Sequence, residues 1–201
     1  MSFVQFETAQ SEGAQSQGAH GETARARILI TGFEPFHQWT VNSSWEGVKR
    51  VAARRRDVAA LRLPVDHAAA AEAIGAALAR HRPEIVLMTG LADDRECRLE
   101  RIGRDLSGRA FSGAWRWAEA ERAIRAAGGA VRASEDAGGY VCDTSYAAAL
   151  AVRDEGARPS GDGPVAVAFL HVPPLSERWP VERIADAIEA ALVPYDRDGA
   201  A

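Results

Sequence analysis

Cys142 stands in the stretch AGGYVCDTSYAAAL, between a glycine turn and an alanine-rich run that reads as a helix. A helix N-terminus carries about half a positive charge and free N–H groups that favour an anion. A thiol placed there can have its pKa drawn down from about 8.5 towards neutral. The same N–H groups can hold the oxyanion formed when a thiolate attacks a carbonyl. The competing reading is a small apolar side chain packed under a helix. His171 ends the apolar run VAVAFL and precedes VPP, so it falls at the end of a buried strand. An imidazole there can take a proton from a thiol and return it to a leaving amine. It can equally be a strand-end histidine bonded to nearby backbone. Glu100, in CRLERIG, is the candidate carboxylate that orients the imidazole. Glu96, Asp93, Asp94 and Asp105 are close rivals that spacing does not separate, and each also reads as a solvated surface charge. His37, His67 and His81 fall in loops or at helix ends, and His20 in the N-terminal stretch.

The elements around these residues alternate. ARILITGF, VAALRLPV, EIVLMTG, AVRASED and PVAVAFLHV read as strands, several of them apolar on both faces. SSWEGVKRVAARR, capped by Asn42 or Ser43, reads as a helix. So do DHAAAAEAIGAALARH with Asp66 as its cap, AWRWAEAERAIRAAG, VCDTSYAAALAVRDE and VERIADAIEAAL. LADDRECRLERIGRDL reads as a loop followed by an extended, charged segment. Doubly buried strands alternating with helices imply an α/β class, a three-layer α/β/α sandwich around a twisted, largely parallel sheet. In such sheets ligands bind beyond the carboxyl ends of the strands. That singles out Gly32–Phe36, Gly90–Arg95, Gly138–Cys142 and His171.

The chain has 201 residues, which favours one domain, expected over residues 26–196 with a flexible tail at 197–201. Residues 1–25 are rich in Gln, Ser, Gly and Ala and read as a disordered extension. They lack the basic start and apolar run of a signal peptide. A net charge of -4 gives no nucleic-acid footprint, and no apolar run approaches the roughly 20 residues of a membrane span. Two cysteines are too few for a disulfide framework, so a reducing cytoplasm and free thiols are expected. CxxC, HExxH and phosphate-binding glycine loops are lacking, so neither metal nor cofactor is expected.

Four blocks in order carry a resemblance. ILITGFEPFHQWTVNSSWEGVKR resembles the TGF-[DE]-PF and VN-x-SWE signature of the pyroglutamyl peptidase I family, also called pyrrolidone-carboxylate peptidase. VLMTGLADDRECRLERI is similar to its GxAGGR and ERVAIN segments. SEDAGGYVCDTSYAAAL is similar to its cysteine segment, and VAFLHVPPLSE to its histidine segment. The resemblance implies a cysteine peptidase, without cofactor, that removes an N-terminal pyroglutamyl residue from small peptides. It makes Cys142 the nucleophile, His171 the general base and acid, and Glu100 the orienting carboxylate. It places Phe33, Phe36, Tyr140, Val141 and Leu91 around the lactam, and it allows a homo-oligomer.

The departures from the family are specific. Two glycines of GxAGGR are Asp93 and Asp94, Leu91 replaces a common Gln, and Val65 stands where Thr is common. Asp143 follows the cysteine in place of Asn. The Gly90–Glu100 spacing is shorter than usual, and a slip of one residue turns a strand side chain to the other face. The segment between Glu100 and Cys142 is much shorter, with RDLSGRAFSGAWRW as a compact replacement from which Arg109 is the expected polar contact. A shorter cover predicts a more open site. The alternatives are a divergent cysteine amidohydrolase acting on another small lactam or acyl-amine, and a non-catalytic binding protein on the same scaffold.

Overall fold

Three strands of this chain have no polar face, and they form the centre of its sheet. A computed structural model describes residues 26–156, 164 and 166–196. The expected N-terminal extension and C-terminal tail lie outside these residues. The order is β1 (Ile28–Phe33), α1 (Ser43–Arg54), β2 (Val58–Leu63), α2 (His67–His81), β3 (Ile85–Leu91), β4 (Cys97–Glu100), β5 (Ile102–Arg104), β6 (Ala110–Ser112), α3 (Trp117–Ala126), β7 (Val131–Ser134), α4 (Val141–Gly156), β8 (Ala166–Val172) and α5 (Val181–Leu192), closed by a 3-10 turn at Val193–Tyr195. Every residue of β1, β3 and β8 is buried. Strands buried on both faces need helices on both sides.

The main sheet has the order β2-β1-β3-β8-β4-β7. All its pairings are parallel except β4 with β8. Thus β4 and β7 run opposite to the other four strands. One face packs the core under α1, α3 and α5, with Val48, Trp115, Ile124, Ile184 and Ile188. The other packs under α2 and α4, with Ile74, Leu78, Tyr146 and Leu150. This is the expected three-layer sandwich.

The segment from 91 to 116 departs from the sequence reading. The extended charged stretch breaks at the exposed Arg101 into β4, which enters the main sheet, and β5, which leaves it. β5 pairs with β6 as a separate antiparallel hairpin against α4. A Cβ on Gly103 would come within 2.9 Å of the Ala147 nitrogen, so the hairpin approaches the helix backbone closely. The third helix starts at Trp117 and not at Ala114. Trp115 is drawn instead into the core, where its indole N–H donates to the Ala191 carbonyl at 3.2 Å.

Candidate active site

Four strand-to-helix or strand-to-loop junctions converge on one cavity of about 480 Å³. The first follows β1. Asn42 caps α1 by accepting from the Ser44 N–H at 3.1 Å, and its own amide donates to the Glu34 carbonyl at 3.0 Å. The Ser44 hydroxyl donates to Asn42 Oδ1 at 2.8 Å and accepts from the Phe33 N–H at 3.2 Å. The VNSSWE motif is thus the clamp that fixes Phe33 and Glu34 at the strand end. Beyond it, Trp39 N–H donates to the Phe36 carbonyl at 2.9 Å, closing a tight turn with His37 at φ 48°. Phe33, Phe36, His37 and Trp39 border the cavity.

The second junction opens α4. Gly138 and Gly139 adopt φ 93° and 64°, left-handed values that favour glycine, and they turn the chain so that Cys142 is the second residue of the helix. The third is the end of β3. Gly90 pairs with His171 across β3 and β8, and a Cβ on Gly90 would lie 3.0 Å from Cys142 Sγ. Gly90 is therefore bare because the thiol rests over it. The fourth is the end of β8. His171 Nδ1 donates to Glu100 Oε1 at 2.8 Å, which leaves Nε2 with its lone pair. Phe169 lies under the imidazole with ring centres 4.7 Å apart.

Register selects Glu100 from its rivals. β4 lies antiparallel beside β8, with Arg98 opposite His171 and Glu100 opposite Phe169. The shorter spacing from Gly90 is absorbed before the strand, and Glu100 keeps the inward face. Glu96 and Asp94 pair instead with Arg132, both at 3.1 Å. Asp105 accepts from the backbone of Ser107 and Arg109. Tyr146, one helical turn beyond Cys142, donates its hydroxyl to the Glu100 carbonyl at 3.1 Å. One helix therefore carries both the thiol and a clamp on the strand that holds the carboxylate.

The electrostatics correct one expectation. Burial pushes the Cys142 thiol up to about 12, with Glu100 adding to the rise and its own backbone N–H and Arg98 opposing it. The helix start alone does not make a resting thiolate. Burial also lowers the His171 pKa from its ordinary 6.5, against the upward pull of Glu100. Burial therefore opposes both a thiolate at Cys142 and an imidazolium at His171.

Leu91, Tyr140 and Val141 border the cavity with Phe33, Phe36, Cys142 and His171. Arg109 does not. It lies on the turn of the β5–β6 hairpin, which packs against α4, with its guanidinium 4.7 Å from the Phe111 ring centre. Sequence reasoning does not single out Arg98, Trp39 or Tyr146, and it sets His67 aside as a loop or helix-end histidine. His67 Nδ1 lies 2.9 Å from Thr144 Oγ1, two residues after the cysteine, and His67 also borders the cavity. Its place at the start of α2, beyond a strand end, was the available signal. Among the described residues no cluster of three or more His, Cys, Asp or Glu is placed to hold a metal ion.

Comparison with known proteins places this arrangement. The pyroglutamyl peptidase family model matches residues 26–110, which include Glu100 but stop short of Cys142 and His171. A pyrrolidone-carboxylate peptidase of Gloeobacter violaceus is 44% identical over 84 residues, 40% of this chain and 41% of that relative. Such a match spans less than half of the relative's length. A pyrrolidone-carboxylate peptidase of Cupriavidus pinatubonensis is 30% identical over 176 residues, covering 75% of this chain and 80% of the relative. The crystal structure of pyrrolidone carboxyl peptidase from Thermus thermophilus superposes with a TM-score of 0.67 at 29% identity, over 82% of this chain and 98% of that one. With likeness extending over most of both chains, this protein belongs to the pyroglutamyl peptidase I family.

Proposed function

We propose that this chain is a cysteine peptidase that removes an N-terminal pyroglutamyl residue from peptides by acyl transfer. The observation that carries the reading is the 2.8 Å bond from His171 to a fully buried Glu100, with the Cys142 thiol over the strand position paired with His171. With Cys142 and His171 bordering the cavity and Glu100 buried behind the ring, that is the nucleophile, base and orienting carboxylate arrangement.

Attack forms the bond between Cys142 Sγ and the pyroglutamyl carbonyl carbon while His171 Nε2 takes the thiol proton. The oxyanion sits at the start of α4, where the Cys142 N–H and the helix dipole favour negative charge. His171 gives its proton to the departing amine as the C–N bond breaks. Water then attacks the thioester, with His171 accepting and returning a proton, and releases pyroglutamate and the free thiol. Phe33, Phe36, Val141 and Leu91 offer apolar walls to a small uncharged lactam, which would exclude the charged N-terminus of ordinary peptides. The cavity volume leaves room for the residue beyond the lactam.

The test is release of the fluorophore from pyroglutamyl-aminomethylcoumarin under reducing conditions, beside a Cys142→Ala variant. Turnover lost in the variant is the expected result. Asp93, Asp94 and Arg98 also border the cavity, and these charges favour a second reading, an amidohydrolase for another acyl-amine. Absence of turnover in the wild type, with Cys142 alkylated by iodoacetamide much faster than Cys97, would move the assignment there. Equal alkylation of the two thiols would remove the basis for either enzyme. Among the described residues no helix is long and apolar enough to cross a membrane.

A further inference from the structure

Arg98 and Glu100 are two residues apart on β4, so their side chains leave the same face of the sheet. The antiparallel register puts Arg98 opposite His171, nearer the cavity, and Glu100 opposite Phe169, two pairs deeper. Glu100 is fully buried, whereas the Arg98 side chain is 20% exposed and borders the cavity. Arg98 Nε lies 3.2 Å from Glu100 Oε1, the same oxygen that accepts from His171. Its Nη2 lies 3.4 Å from His171 Nδ1. Nδ1 gives its hydrogen to Glu100, so this last approach sets two donors against each other, and Arg98 Nε, which has no hydrogen-bond partner, meets the carboxylate as a charge pair and not as a hydrogen bond. Glu100 Oε2 is buried without a hydrogen-bond partner.

A buried carboxylate demands a counter-charge. If His171 alone supplied it, the ring would rest as imidazolium, with Nε2 protonated and unable to act as a base. A guanidinium stays protonated at any working pH, so it meets the demand without using the ring. The other charged or titratable groups around His171 are Cys142 and Asp143 on α4 and, bordering the same cavity, His37, His67, Asp93, Asp94 and Tyr140. Asp143 accepts from the Arg104 N–H at 2.7 Å, and Asp94 is held by Arg132. Among the described residues only Arg98 places a fixed positive charge against both Glu100 and His171.

We propose that Arg98 is a positioning residue, supplying the counter-charge to Glu100 so that the carboxylate orients the His171 ring while leaving it a free base towards Cys142. This rests on the reading of Cys142 and His171 as nucleophile and base. The test uses the full chain with Arg98→Met and Arg98→Lys. The His171 ring is followed by imidazole ¹H–¹⁵N spectra across its titration, assigned by its absence in His171→Gln. In Arg98→Met the His171 midpoint moves up by about one pH unit, and in Arg98→Lys it stays near the wild type. The acid limb of kcat/KM for the coumarin substrate moves the same way, and kcat falls while KM changes less than about twofold. A folded Arg98→Met protein whose His171 titrates as in the wild type overturns the proposal. Where Arg98→Met does not fold, Arg98→Gln carries the same expectation and the same refutation. The spectra need no substrate. A shifted midpoint in a protein that hydrolyses no pyroglutamyl bond would uphold the role of Arg98 and count against the peptidase reading alone.

Discussion

Cys97 and Cys142 occupy opposite layers of one sheet, and burial pushes both thiols up to about 12. Cys97 is fully enclosed in the core under α1, α3 and α5, while Cys142 keeps part of its surface on the cavity. Around Cys97 the nearby charges, Glu96 and Asp94, only raise the thiol further. Around Cys142 a backbone N–H and Arg98 pull the other way, and the bare Gly90 lets the sulfur lie over the strand pair that carries His171. Burial raises the pKa of both cysteines. They differ in whether a base stands ready and whether a carbonyl has room to enter.

The largest expected effect separates them directly. Cys142→Ala reduces hydrolysis by about four orders of magnitude or more. Cys97→Ala keeps most of the turnover and lowers unfolding free energy by about 1 kcal/mol, read by denaturant titration. Comparable loss of turnover in both variants would break the comparison.

Glu100→Gln comes next. The amide cannot hold the Nδ1–H tautomer or balance the imidazolium of the transition state, so kcat falls between about 10²- and 10⁴-fold with the fold intact. Retained kcat would mean that the base near Cys142 needs no carboxylate.

Gly90→Ala sharpens the steric half of the contrast. The methyl group would meet the Phe169 ring at 2.9 Å and Cys142 Sγ at 3.0 Å. Loss of about 1–3 kcal/mol of stability together with a fall in kcat/KM is expected. Gly75→Ala, in the interior of α2 with nothing within 4 Å of the added atom, gains about 0.5–1 kcal/mol at unchanged turnover.

The smallest effect is in pH. Burial lowers the pKa of His171, and the base works only when neutral, so the acid limb of kcat/KM lies below the ordinary 6.5. The same depression stabilises the fold above pH 6.5, and that contribution is lost as pH falls through the lowered value. The thiols act with the opposite sign. Their contribution is complete below pH 9.0 and is lost as pH rises towards about 12. Denaturant midpoints measured against pH would show less alkaline loss in Cys97→Ala than in the wild type. An acid limb above 6.5 would contradict a buried neutral imidazole.

What the sequence made legible follows from local patterning. Unbroken apolar runs announced β1, β3 and β8, and the rule that ligands gather at strand ends selected the junctions that border the cavity. Asp66 was legible as a cap, and Asn42 as one of two. What stayed hidden depends on register between distant segments. Spacing alone could not separate Glu100 from Glu96 or Asp94; the family resemblance pointed to it, and the physical reason is the register of β4 against β8. Arg98 carries no local mark, since its meaning comes from the residue opposite. The β5–β6 hairpin has strands of three residues, too short for any alternation to show. The acidity of Cys142 was misjudged because a helix start is visible in sequence and desolvation is not. Arg109 was misplaced because the direction of a turn depends on what it packs against.

The position of β8 has a consequence for how the molecule is made. Of the described strands this one comes last in the chain, yet it lies between β3 and β4 in the finished sheet. Until it is inserted, β3 and β4 have no common neighbour, and the bond between residues 71 positions apart cannot form. Contacts of such separation are slow to close and are won late. A ribosome-bound chain ending before residue 166 would hold its thiol on a finished helix with no base beside it. The proposed hydrolysis therefore has its full site only once the centre of the sheet is filled.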